Sequence, residues 1–194
     1  MPTTSTPVPS AARARLLRAA SRVFYAEGIH SVGVDRVIDE AQVTRATFYR
    51  HFPGKEDLVV AYLAGEDAEI RSAFDEAARA VGAPSELLEA LVQGLADDVA
   101  RRHTRGCPFI NAAAEYPDPT SPVRQAVHTH RAWFRGTLES ALTAAGADDP
   151  AGRAAHLVLL RDAALVGGYL DGPDDVVPTF VRAARAAAGL SARG

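Results

Sequence analysis

The chain has 194 residues, enough to bury a real core as one large helical domain or as a small domain joined to a larger one. Hydrophobic and charged contents of 47% and 23% suit a folded globular protein, one cysteine excludes an internal disulfide framework and a cysteine zinc finger, and no apolar run approaches the roughly 18–20 residues of a membrane span. The net charge of −3 conceals an asymmetry: residues 1–55 hold eight basic and four acidic residues, net +4, whereas 56–194 hold 13 and 20, net −7.

A basic head on an acidic body draws a polyanion to one end and disfavours contact along the rest. Residues 1–10 are expected to form a disordered arm, rich in Thr and Pro, whose last residue Ser10 caps the first helix. The arm has neither the basic nor the apolar region of a signal peptide, which points to a cytoplasmic protein. The first helix carries Leu16, Leu17, Ala20, Val23 and Phe24 on one side and Arg13, Arg15, Arg18 and Arg22 largely on the other, and Gly28 ends it. Val34, Val37, Ile38 and Ala41 then fall at i, i+3, i+4 and i+7, a one-faced helix of two turns.

Three residues later Thr44 is a good N-cap, with Val43 and Phe48 placed to staple the helix start, and Pro53-Gly54 stops the chain after about two turns. A helix so short must be held by its neighbours. Phe48 and Phe52 lie one turn apart and point inward, while Arg45, Ala46, Tyr49 and Arg50 share the opposite face, flanked by Thr47 and His51. That outer face is cationic and aromatic and carries no carboxylate. Its length, roughly 12 Å, is about the width of the B-DNA major groove. A solvated surface helix would read the same in isolation, but two short helices joined by a tight turn, the second basic, form the helix-turn-helix arrangement.

Residues 11–63 resemble the DNA-binding domain of the TetR (tetracycline-repressor) family of transcription regulators. The string VIDEAQVTRATFYRHFPGKEDL, Val37 to Leu58, carries the likeness through Ala41, Val43, Thr44, Tyr49, His51, Phe52, Lys55, Glu56 and Leu58. Three positions depart from the pattern: Gln42 stands where the turn glycine is usual, Ala46 where glycine is common, and Gly33 where Ser or Thr often caps the second helix. A positive φ at Gln42 costs on the order of 1 kcal/mol. The expected DNA contacts are therefore Thr44, Arg45, Ala46, Thr47, Tyr49, Arg50 and His51, together with Lys55 at the next helix start, where a phosphate can dock on free backbone amides.

From Lys55 one helix runs through Val59, Leu63, Ile70, Phe74, Ala77 and Val81 toward Gly82-Ala83-Pro84. The rest reads as helices only: a stripe from Leu87 to Val99, a short helix from Pro108 to about Glu115, a long one from Pro122 through Val127, His130, Phe134 and Leu138, then Pro150 to Leu170, apolar almost all round except Arg161 and Asp162, and a last one from about Asp174 to Leu190. GCPFINAAAEYPD, Gly106 to Asp118, resembles a string found in a subset of the same family. The fold class is all-α: a three-helix helix-turn-helix domain at 11–56, then a larger helical body at 57–194 for ligand binding and dimerisation.

No P-loop, dinucleotide fingerprint, HExxH or nucleophile elbow is present, so no catalytic residue, metal site or cofactor is expected and the chain reads as a non-enzyme. His128 and His130, two apart on a helix, point about 200° from each other and cannot share a metal from one face. Cys107 suits either a buried core thiol or a redox sensor beside Arg105. Phe74, Phe109, Tyr116, Trp133 and Phe134 are candidates to line a ligand cavity, with Asn111 and His130 as polar contacts, although aromatics at helical spacing also build plain core.

The resemblance implies a homodimer that binds a palindromic double-stranded DNA operator and releases it when a small, mostly apolar effector enters the body. It makes the Lys55 helix the lever between ligand and DNA, and the last two helices the dimer contact through Leu157, Leu160, Ala164, Phe180, Val181 and Ala184. Packing of those helices against their own chain alone remains open, as do a helical adaptor for protein partners and an enzyme using the body cavity.

Overall fold

The structure, a computed structural model, describes residues 10–190, so the expected arm lies outside the described residues apart from Ser10. Nine α-helices and one π-helical turn make up the described chain, which contains no strand. They are α1 Ala11–Glu27, α2 Val34–Ala41, α3 Arg45–His51, α4 Lys55–Ala80, α5 Pro84–Asp97, a π turn Asp98–Arg102, α6 Pro108–Glu115, α7 Pro122–Ala144, α8 Pro150–Leu170 and α9 Pro173–Ala187.

Two compact units divide at Ala64/Gly65, within α4. That is eight residues beyond the boundary at 56 drawn from sequence, because Leu58, Val59, Tyr62 and Leu63 of α4 are all buried and Tyr62 meets Phe24 of α1 edge-on at 5.9 Å.

In the first unit α1 packs against α2 and α3. Ser10 caps α1 by accepting from the Arg13 amide at 3.1 Å, and Gly28 ends it at φ 89°. The apolar stripe of α1, Leu16, Ala20, Val23 and Phe24, closes over Val37 and Ile38 of α2 and over Phe48, which is completely buried. Burying a phenylalanine of that size is worth about 1.5–3 kcal/mol, which is how a seven-residue helix persists.

In the second unit α8 lies against α7 and α9, α5 against α7 and α9, and α6 on α7. Small residues set the spacing. A Cβ on Gly168 would come 2.9 Å from Val99 Cγ1 in the π turn, and one on Gly167 would come 3.3 Å from Val176 Cγ2 on α9. Glu86 holds the start of α5 by accepting from the amides of Gly82 and Ala83 at 3.1 and 3.2 Å.

Candidate nucleic-acid interface and body cavity

The turn between α2 and α3 is built by Gln42, which sits in the left-handed region at φ 51°, the sole non-glycine residue to do so among those described. This conformation lets the Gln42 and Val43 amides donate back to the carbonyls of Asp39 and Ile38 at 3.1 and 3.3 Å, so α2 ends with its last groups satisfied. Thr44 then accepts from the Thr47 amide at 3.1 Å and its hydroxyl meets that of Thr47 at 2.9 Å. With Phe48 and Phe52 buried, rings 6.0 Å apart, the other side of α3 is turned to solvent: Thr44, Arg45, Ala46, Tyr49 and Arg50 are exposed, and Thr47 and His51 half-exposed.

Two features modify the face expected from sequence. Arg45 forms an ion pair with Asp35 in the first turn of α2, each side chain more than 60% exposed, so the cationic face carries a carboxylate supplied by the neighbouring helix. His51 is taken up by α1, its Nε2 lying 3.0 Å from Ser10 Oγ. Lys55 is half-buried and donates to the His30 carbonyl at 3.4 Å, and Arg50 donates to Thr47 Oγ1 at 3.2 Å. Behind this face Arg36 bridges Glu27 and Glu40 at 3.1 and 2.8 Å and Arg22 joins Glu40 at 2.6 Å. Hydrogen bonds from Arg36 and then Arg22 hold the Glu40 carboxyl below its ordinary range.

The body holds a cavity of ≈ 290 Å³ between α5, the π turn and the parts of α4, α7 and α8 that face them. Ile70, Phe74, Leu91, Leu95 and Phe134 form its apolar wall, and Asp97, Asp98, Arg101, Arg102 and Arg161 supply its polar groups. A π turn displaces the backbone of a helix and often marks a functional site. Here it contributes Asp98, Arg101 and Arg102 to the cavity.

Of the expected ligand residues, Phe74 and Phe134 line this cavity and meet edge-on at 5.6 Å. The others are engaged elsewhere. Phe109 and His130 stack face to face at 3.7 Å in the core, and His130 Nδ1 lies 2.8 Å from Asp67. Trp133 lies under the Arg71 guanidinium at 4.1 Å, Asn111 closes a loop by donating to the Arg105 carbonyl at 3.1 Å, and Tyr116 caps α6. Sequence reasoning missed Leu91, Leu95, Asp97 and Asp98 as lining residues; their signal was only that α5 leads straight into a run of charges.

Burial pushes the His130 imidazole below its ordinary range, in spite of its bond to Asp67. His103 has Nδ1 2.6 Å from Asp98 and Nε2 3.6 Å from Glu66. Burial alone would lower it, but the two carboxylates outweigh that and raise it.

The dimer residues expected from sequence differ in their exposure. Leu157, Ala164, Phe180 and Ala184 are buried within their own chain, and Leu160 and Val181 are half-buried. The small residues serve α8–α9 packing inside one protomer. The apolar side chains that α8 does present to solvent are Leu159, 66% exposed, Val166, Tyr169 and Leu170, 70% exposed. Leu159, Val166 and Leu170 fall at i, i+7 and i+11, one ridge along the helix.

Residues 16–62 match the family described as "Bacterial regulatory proteins, tetR family", and residues 84–153 match "Tetracyclin repressor-like, C-terminal domain". SCO4454, a TetR-family transcriptional regulator from Streptomyces coelicolor, has a crystal structure that aligns at TM-score 0.88 and 47% identity, over 92% of this chain and 94% of that one. The HTH-type transcriptional regulator LmrA of Bacillus subtilis is 27% identical over 160 residues, 81% of this chain and 84% of that protein. The HTH-type transcriptional activator FasR of Mycolicibacterium smegmatis is 34% identical over 85 residues, 44% of this chain and 39% of that protein.

Proposed function

As the chain belongs to the TetR family of DNA-binding transcriptional regulators, we propose that it is a repressor, a homodimer that holds a palindromic operator until a small, mostly apolar effector fills the body cavity. The family is one of regulators, and the chain is not an enzyme. The observation that carries the reading is the solvent face of α3, where Arg45, Tyr49 and Arg50 stand together on a short helix anchored by Phe48 and Phe52. A helix of this kind enters the major groove with its first turn deepest, and two copies related by a two-fold axis read two half-sites one helical turn apart. The ridge of Leu159, Val166 and Leu170 on α8 is the surface that supports the two-fold pairing.

The effector site of this reading is the cavity beside Phe74 and Phe134, and α4, which includes both Lys55 and Phe74, is the element through which it acts on the first unit. No described helix is long and apolar enough to cross a membrane, and a repressor of this kind works in the cytoplasm, where its DNA is.

The test is a gel shift on the DNA upstream of its own gene. At nanomolar protein, a retarded complex holding two protomers per site supports the reading, and no complex at micromolar protein overturns it. An activator is the second reading, favoured by the name of the FasR relative. A promoter reporter in a strain lacking the protein decides between them, since transcription rises on loss of a repressor and falls on loss of an activator.

A further inference from the structure

We infer that the body cavity takes a small apolar anion and that Arg161 is the group that receives its charge; this rests on the reading of that cavity as the effector site.

Arg161 lines the cavity although it is only 2% exposed, and it lies in the middle of a helix that is otherwise mostly apolar. Its bonding is incomplete. Nε meets no acceptor, and Nη1 reaches only Cys107 Sγ at 3.6 Å and Asp162 Oδ1 at 3.5 Å, the outer limit of a hydrogen bond. Asp162 is itself engaged by Arg131 at 2.8 Å, so its charge is shared. The guanidinium lies over the Phe134 ring at 4.9 Å, a contact that steadies a cation without neutralising it.

The remaining charged groups of the cavity are already satisfied. Asp97 pairs with Arg101 at 2.5 Å, Asp98 with His103 at 2.6 Å, and Arg102 with Glu69 at 2.5 Å. Each is met by a partner of opposite charge, which leaves Arg161 as the under-compensated cation against the apolar wall. A buried cation without a full counter-charge is unfavourable, and a carboxylate offering two oxygens to a guanidinium relieves it most effectively.

The same arrangement excludes other ligands. A cation would meet Arg161 itself, and the second charge of a polyanion would find the other cations of the cavity already paired. A neutral lipophile would fill the wall and leave the guanidinium as it is. At about 30 Å³ per water-sized group, the cavity holds on the order of ten heavy atoms. A medium-chain monocarboxylate has that size and charge.

Titration calorimetry of the full-length protein at about pH 7.5, where the acid is ionised, compares octanoate, octanol and octylamine, which share a chain length and differ in charge. Octanoate should bind at least about tenfold more tightly than octanol, with octylamine weaker still. Arg161→Met should remove that preference, so that acid and alcohol bind alike, and should unfold at the same temperature as the parent or higher, since an under-paired buried charge is gone. Arg161→Lys should keep the order of the three probes and serves if the methionine variant does not fold. Gly94→Leu fills the cavity from α5, where an added Cβ meets nothing within 4 Å, and should abolish octanoate binding.

Octanol binding as tightly as octanoate, or octylamine more tightly, overturns the anion inference. If Gly94→Leu still blocks the probe that binds, the cavity remains the effector site. Octanoate bound equally by the parent and Gly94→Leu overturns the reading of the cavity itself.

Discussion

On the proposed reading Arg45 and Lys55 do different work at the DNA face. Arg45 stands on the first turn of α3, where a guanidinium can reach a guanine edge, whereas Lys55 stands at the start of α4, where a phosphate can dock. Arg45→Ala should cost about 1–3 kcal/mol per operator site and much less on random DNA. Lys55→Ala should weaken both DNAs alike and lower the salt slope by roughly one for each phosphate no longer neutralised. Fluorescence anisotropy on both duplexes checks this, and equal losses for Arg45→Ala would show that α3 does not read sequence there. The two buried histidines give opposite pH signatures. His103 is raised, so its bonds to the carboxylates contribute fully below the ordinary histidine value of about 6.5, and that stability is lost as pH climbs through the raised value. His130 is lowered, so its contribution is present above about 6.5 and lost as pH falls through the depressed value. Urea unfolding should therefore find His103→Gln more damaging at about pH 5.5 than at about pH 8.5, and His130→Gln the reverse.

At the scale of elements, the α2–α3 turn and the outer face of α8 carry the testable consequences. Gln42 holds a conformation that costs an L-residue about 1–2 kcal/mol, and glycine relieves that at the expense of roughly 0.4–1 kcal/mol of unfolded-state entropy. Gln42→Gly should thus stabilise the protein by about 0.5–1 kcal/mol in denaturant unfolding, with operator binding intact. On α8, Leu159→Arg should leave a folded protein and shift sedimentation at micromolar concentration toward the monomer, because Leu159 faces solvent. Ala164→Arg should unfold the chain outright, because that position is buried within the protomer. This contrast shows what periodicity conveys. It located the helices and the inward rings Phe48 and Phe52, since one face of each was apolar at 3.6-residue spacing. Gln42 is marked by the family likeness instead, as the residue standing where the turn glycine is usual. Periodicity did not separate α8 residues that meet α7 and α9 from those that meet solvent, because that helix is apolar on every side. Nor did it reveal Asp35 beside Arg45, ten residues away across a turn, or that Arg161, the conspicuous cation of α8, is turned inward.

Across the whole molecule, the first unit carries eight basic and six acidic residues and the second 13 and 18, net +2 and −5. That asymmetry favours DNA at the first unit, and on the proposed reading the effector enters the second. If α4 couples the two, the linkage must be reciprocal: DNA weakens the effector by the same factor as the effector weakens DNA. Calorimetry of the effector with and without operator, set beside anisotropy of the operator with and without effector, measures both factors, and an effector that binds the protein but leaves operator affinity unchanged would rule the coupling out.

Twenty of the 21 cationic side chains are arginines, and the lone lysine is Lys55, half-buried at the start of α4 with its amine on the His30 carbonyl. An amine-selective acylating reagent accordingly has one side-chain target in the entire chain. Acetylation there turns a phosphate-seeking cation into a neutral amide. If Lys55 meets a phosphate in the complex, its acetylation after a brief pulse of reagent, read in a digest that separates it from the α-amine, falls with promoter occupancy, with no tag or engineered probe.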